Sequence, residues 1–150
     1  MNHTITTGQI LKELTDRRTD LYDVVYFYGD PDKMLGLIAR LRTELTNRHP
    51  ETTVRHKTGT AFASDVRERC FRGSLGDICR DYRGDLLILE GLDAVAGKET
   101  TEQALYGILD WYLESGKRLV ITGNAPLTGI SALADRISTQ LSGGISLCVA

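Results

Sequence analysis

Short unbroken apolar runs alternate along this chain with longer stretches in which apolar residues recur every three or four positions. The runs at residues 23–28, 85–90, 118–122 and 145–149, with a weaker one at 52–56 after Pro50, predict strands. The most apolar of them read as buried on both faces of a parallel sheet. The stripe Met34, Leu37, Ile38, Leu41 and Leu45 predicts a helix, and Leu105, Ile108, Leu109 and Tyr112 predict another over 100–114, stopped at Gly116. Two shorter helices are expected at 61–70 and 75–82, split by Arg72-Gly73-Ser74, and a last one carries Ile130, Leu133, Ile137 and Leu141 before Gly143-Gly144. Thr6 and Gln9 form a capping box ahead of an N-terminal helix with Ile10, Leu11 and Leu14. Such alternation implies an α/β fold, a parallel sheet with helices on both faces.

The run ending at Glu90 carries most of the chemical information. It reads DLLILEGLDAVAGKETTEQ over residues 85–103, so an acid sits at the carboxyl end of a buried strand, where open α/β sheets bind ligands. This segment closely resembles the second phosphate-site motif of the bacterial replication-initiator DnaA family of AAA+ ATPases. The likeness continues through Val120-Ile121-Thr122-Gly123-Asn124-Ala125-Pro126, similar to the family's sensor strand, and Leu133-Ala134-Asp135-Arg136-Ile137, similar to its arginine-bearing helix. Upstream, Thr58, Phe62 and Tyr82-Arg83 also fit, so the resemblance spans roughly residues 23–149. It implies a three-layer P-loop NTPase fold with strand order 5-1-4-3-2; composition and periodicity alone equally allow a flavodoxin-like order. The expected organisation is one AAA+ core over residues 1–150, with 1–20 as an N-terminal helical segment and without the family's lid and helix-turn-helix domains.

The first phosphate motif departs from the family. A P-loop needs G-x-x-x-x-G-K-[ST], so that consecutive backbone N–H groups wrap the phosphates and a lysine reaches them. The chain instead has Gly29-Asp30-Pro31-Asp32-Lys33-Met34-Leu35. The second glycine is missing, Pro31 removes a donor, and Asp30 and Asp32 place negative charge where phosphate would sit. Asp30 or Asp32 capping the next helix is the structural alternative to an anion site. Lys33 falls near the family's lysine without matching it, and Met34 follows where a hydroxyl would hold magnesium. Glu90 matches the metal-holding acid, but Gly91 replaces the acid that polarises water; a strand-end carboxylate satisfied by Thr122 or backbone is the simpler account of Glu90. Asn124 stands at the sensor position. Arg136 matches the first arginine of the family's helix, as a reach toward a neighbouring subunit or an ion pair with Glu90 or with neighbours of Asp135, while Gln140 occupies the arginine-finger position. An arginine finger contributes on the order of 10³ to 10⁵ in rate. Charge-assisted hydrogen bonds contribute roughly 1.5–3 kcal/mol each, so losing three would weaken nucleotide binding by about three orders of magnitude or more. The expectation is an ATPase shape without the activity and without a cofactor. An atypical switch in which Lys33 and Glu90 hold ATP and magnesium is the alternative.

Composition and charge narrow the partners. At 150 residues the chain is long enough to bury roughly 68–70% of its unfolded surface. Residues 33–83 carry 11 basic and 6 acidic side chains, whereas both flanks are acidic. In the family the paired short helices of this middle region form an insertion that lines a single-stranded DNA path. The resemblance therefore offers Arg67, Arg69, Arg72, Lys98 and Thr101 as nucleic-acid contacts, though aromatic platforms are few, with Phe62, Phe71 and Tyr82. A solvated basic face is the plainer alternative. The leading expectation is an accessory or regulatory replication protein docking on DnaA or another replication protein, with single-stranded DNA binding second. Cys70, Cys79 and Cys148 read as free buried thiols of a reducing cytoplasm, and with His3, His49 and His56 they make no metal signature. No apolar run approaches a membrane span, and no signal peptide is expected. Trp111, one position off its helix stripe, is either a core filler or a partner anchor.

Overall fold

The computed structural model describes residues 23–150, so the expected helix with Ile10, Leu11 and Leu14 lies outside the described residues. Strands β1 (Val24–Gly29), β2 (Val54–Thr58), β3 (Leu86–Glu90), β4 (Arg118–Gly123) and β5 (Ile145–Val149) form one parallel sheet in the order β2-β3-β4-β1-β5. This is the 5-1-4-3-2 order seen from its other edge. A flavodoxin-like order would place β1 between β2 and β3, and here β1 pairs with β4 and β5.

The period-two alternation of the central strands divides the core. Val24, Tyr26, Leu87, Leu89, Leu119 and Ile121 face one side, and Val25, Phe27, Leu86, Ile88 and Val120 face the other. Helix α1 (Pro31–Arg48) lays its whole predicted stripe, Met34 to Leu45, on the second side. Helices α2 (Gly59–Arg72), α3 (Ile78–Asp81), α4 (Glu99–Glu114) and α5 (Asp135–Ser142) cover the first, with Phe62, Val66, Ile78, Leu105, Ile108, Leu109, Ile137 and Leu141. Strand β2, an edge, exposes Arg55, His56 and Lys57, charges that discourage pairing with another sheet.

Several expected boundaries move. Strand β2 begins two residues later than the apolar signal suggested, and the 75–82 segment is a 3₁₀ turn, Leu75–Asp77, followed by the single turn of α3. The last helix is shorter: Leu127–Gly129 is a 3₁₀ turn, Ala132 takes φ +64°, and α5 starts only at Asp135. Ile130 is nevertheless buried and Leu133 half-buried, so their spacing reflects packing and not helix. Cys70 and Cys148 are exposed and Cys79 half-buried, which corrects the expectation of buried thiols. Trp111 is half-buried against the core, edge-to-face with Tyr112 and covered by the Arg83 guanidinium 5.2 Å from its ring centre. Among the described residues no helix is long and apolar enough to cross a membrane.

Candidate functional site

At the carboxyl end of β1 the chain turns into α1 through a loop closed by its own side chains. Gly29 takes φ +124°, and a Cβ there would collide with the Val149 carbonyl, so only glycine fits. The Asp30 N–H donates to that carbonyl at 2.7 Å. Asp30 Oδ1 accepts from the backbone N–H groups of Asp32 and Lys33 at 2.9 and 3.1 Å, with Pro31 opening the helix. This is an N-cap of the kind that contributes about 1 kcal/mol. Its consequence is chemical: the amides that a phosphate would use already hold a carboxylate. Lys33 Nζ donates to the Ala150 carbonyl at 2.6 Å and lines a surface with Arg40, Cys148 and Val149, outside the cleft beside Glu90.

That cleft, about 470 Å³, lies among Gly29, Pro31, Met34, Leu35, Thr58, Glu90, Asp93, Thr122 and Asn124. Glu90 is bound to His56 Nε2 at 2.7 Å. Thr122 does not satisfy Glu90; its hydroxyl accepts from the Gly91 N–H at 3.1 Å. Gly91 takes φ +85°, a left-handed geometry that favours glycine where the family carries its second acid. Asn124 is exposed, and its N–H donates to Asp93 Oδ1 at 3.1 Å. Burial first, and the Asp93 charge second, push the Tyr26 phenol well above its usual range; that phenol donates to the Ala125 carbonyl at 2.5 Å. The structure thus brings Gly29, Met34, Glu90 and Asn124 together and separates Lys33 from them. These residues do not fit a triphosphate with magnesium: the helix end holds Asp30, the lysine points elsewhere, and Glu90 is paired with a histidine.

The arginine-bearing helix is likewise turned to internal work. The Arg136 guanidinium lies 5.1 Å from the Tyr106 ring centre, and among the described residues it makes no ion pair with Glu90. Gln140 Nε2 donates to the Tyr106 carbonyl at 3.1 Å, holding α5 on α4. Sequence reasoning missed Glu102, which is only 5% exposed and accepts the Ala134 N–H at 2.7 Å, tying the residue before α5 to α4. It also missed the partnership of His56. The register offered the signal, since Thr58 sits opposite Glu90 and His56 lies on the same side of β2.

The arginines of the middle region divide into two groups. Arg69 bridges Asp65 at 3.1 Å and Asp81 at 2.8 Å, and its hydrogen bond holds the Asp81 carboxyl below the ordinary range. Arg72 pairs with Glu68 at 2.6 Å, and Arg80 with Asp77 and Asp81. Among the described residues Arg67 and Lys98 make no ion pair, and they line one groove of about 360 Å³ with Ala63, Val66, Glu99 and Thr101. Of the five sequence-derived contacts the structure gathers three, Arg67, Lys98 and Thr101, and engages Arg69 and Arg72 elsewhere.

Comparison with known proteins agrees with this architecture. A family model described as the bacterial DnaA ATPase domain matches residues 8–148. The chromosomal replication initiator protein DnaA of Levilactobacillus brevis is 25% identical over 131 residues, 85% of this chain and 28% of the relative. That of Sphingopyxis alaskensis is 38% identical over 115 residues, 73% of this chain and 24% of the relative. The chain therefore spans under a third of the length of these curated relatives. A solved replication initiator DnaA bound to AMPPCP and single-stranded DNA superposes with a TM-score of 0.82 at 20% identity, covering 94% of this chain and 44% of that one. With its sheet order, its acid-tipped β3 and its arginine-bearing α5 all in the family's succession, this chain belongs to the bacterial DnaA ATPase-domain family.

Proposed function

We propose that this DnaA-like domain acts in the control of DNA replication through contacts with other replication proteins, and that it does so without binding or hydrolysing nucleotide. The observation that carries this reading is the Asp30 carboxylate seated on the first amides of α1, with Lys33 engaged at Ala150. The family's sheet order kept beside a helix end that holds a carboxylate supports a role for its surfaces over its chemistry. The partner of choice is a full-length bacterial initiator or another replication protein. The test is binding of the purified chain to a full-length DnaA with a non-binding nucleotide-site variant as partner, so that any ATP effect on the partner is removed. Association at micromolar concentration that is the same with and without ATP is expected. Absence of association, or association only with ATP, would count against the reading.

A second reading is supported by the groove of Arg67, Lys98 and Thr101: recognition of single-stranded nucleic acid by phosphate contacts. Among the described residues its two cations make no ion pair where three neighbouring arginines are engaged. Binding of this kind weakens with salt.

A further inference from the structure

Three aromatic side chains lie in the arginine-rich region, and the structure sorts them sharply. Phe62 and Tyr82 are 0% and 5% exposed and packed edge-to-face with ring centres 5.3 Å apart, so neither presents a face to a ligand. Phe71 is 94% exposed, one of the two large apolar residues that stand out on the described surface. It lies in the last turn of α2, four residues after Arg67 and one after Cys70, both of which line the groove shared with Lys98. Residues four apart occupy one helix face, and helical side chains lean toward the N-terminus, so Phe71 leans toward Arg67. Gly73, at φ +73°, ends the helix just beyond.

We propose that Phe71 is a base-stacking platform that continues the Arg67–Lys98 groove, so that single-stranded nucleic acid lays phosphates on the two cations and a base on the exposed ring. The proposal rests on the second reading above and adds to it a contact that charge alone does not supply. Charge complementarity selects the occupant. Among the described residues the groove's charged groups without an ion pair are two cations, Arg67 and Lys98, and one carboxylate, Glu99, a net positive lining, and a polyanion whose bases carry free π-faces satisfies both charge and ring at once. An apolar protein segment would use the ring but leave Arg67 and Lys98 unmatched. Stacking on one aromatic typically changes affinity by about tenfold or more. Because the ring is almost wholly solvent-exposed, its removal leaves the fold unchanged.

The experiment is fluorescence anisotropy with a labelled oligothymidylate, comparing the parent chain with Phe71→Ala, Phe71→Leu, Phe71→Trp and the double variant Arg67→Ala/Lys98→Ala, each with its thermal unfolding midpoint. The parent is expected to bind, and to bind more weakly as salt rises from about 50 to 200 mM. Phe71→Ala and Phe71→Leu are expected to lose about tenfold or more at an unchanged midpoint. Phe71→Trp is expected to retain binding and to show indole quenching beyond that of Trp111 in the parent. If Phe71→Ala or Phe71→Leu binds like the parent while the double variant does not, the platform is refuted and the groove stands. If the parent shows no salt-dependent binding, platform and groove reading fall together.

Discussion

Phe62→Ala is expected to remove about 3–5 kcal/mol of stability, because a large, fully buried aromatic is deleted from the core. Phe62 is 0% exposed and packs with Val66, Ile78, Tyr82 and Leu89 in the cluster that fastens α2 and α3 to the sheet. Domains of this size are stable by only about 5–15 kcal/mol, so the variant should be close to unfolding at ordinary temperature. Urea denaturation measures it directly, and a loss under about 1 kcal/mol would show that α2 does not depend on this cluster. The contrast with Phe71 in the same helix is the point. One ring holds the helix in place, and the other is free to meet a partner.

Stability is expected to collapse at alkaline pH, because three tyrosines are held neutral by the fold. Tyr112 is pushed up to about 12 from an ordinary 10.0, chiefly by burial. Burial is also the largest cause for Tyr26 and Tyr82, both raised further, with Asp65 reinforcing Tyr82 through a hydrogen bond. Each phenol is a donor in the folded state: Tyr112 to the Tyr82 carbonyl at 2.6 Å, Tyr82 to Asp65 at 2.7 Å and Tyr26 to the Ala125 carbonyl at 2.5 Å. An unfolded chain gives up these protons from pH 10 upward, while the folded chain keeps them. The stability present below pH 10 therefore declines as pH rises toward and past 12, by up to about 1.4 kcal/mol per pH unit for each tyrosine. Urea titrations over this range should show the decline, shallower in Tyr112→Phe. Stability that stays level to pH 12 would contradict the account.

How much of this was legible in the residues follows from what each contact needs. Strands β1, β3 and β4 announce themselves because both faces are buried, leaving unbroken apolar runs, and the stripe of α1 reads cleanly because one face meets one sheet. The last helix was overextended for a physical reason. Ile130 and Leu133 are packed like helix residues, but Ile130 is extended just after a 3₁₀ turn and Leu133 follows the left-handed Ala132, and apolar spacing reports burial before it reports backbone. At the site, Gly-Asp-Pro-Asp alone offers the Asp30 cap, since a short acid before a proline is a strong cap signal. The His56–Glu90 pair was hidden because it joins residues 34 apart across two strands. Glu102 was hidden for another reason: an acid in a first helical turn reads as a partner of its own helix dipole, and here it holds the backbone leading into a different helix. The identity of the free cations was beyond composition but not beyond spacing. Arg69 and Arg72 each have an acid four residues earlier, Asp65 and Glu68, and Arg67 has Ala63 there, a spacing that separates them before the structure adds Asp81 to Arg69.

The central claim is that the cleft beside Glu90 is closed to nucleotide by Asp30 and by the displacement of Lys33. Calorimetric titration of the purified chain with ATP and magnesium, beside a Lys33→Ala/Glu90→Ala variant, tests it most directly. The account predicts no binding heat up to about millimolar ATP, corresponding to less than about 4 kcal/mol of affinity, and no difference between parent and variant. Binding at tens of micromolar or tighter that the variant abolishes would contradict it and restore a nucleotide switch.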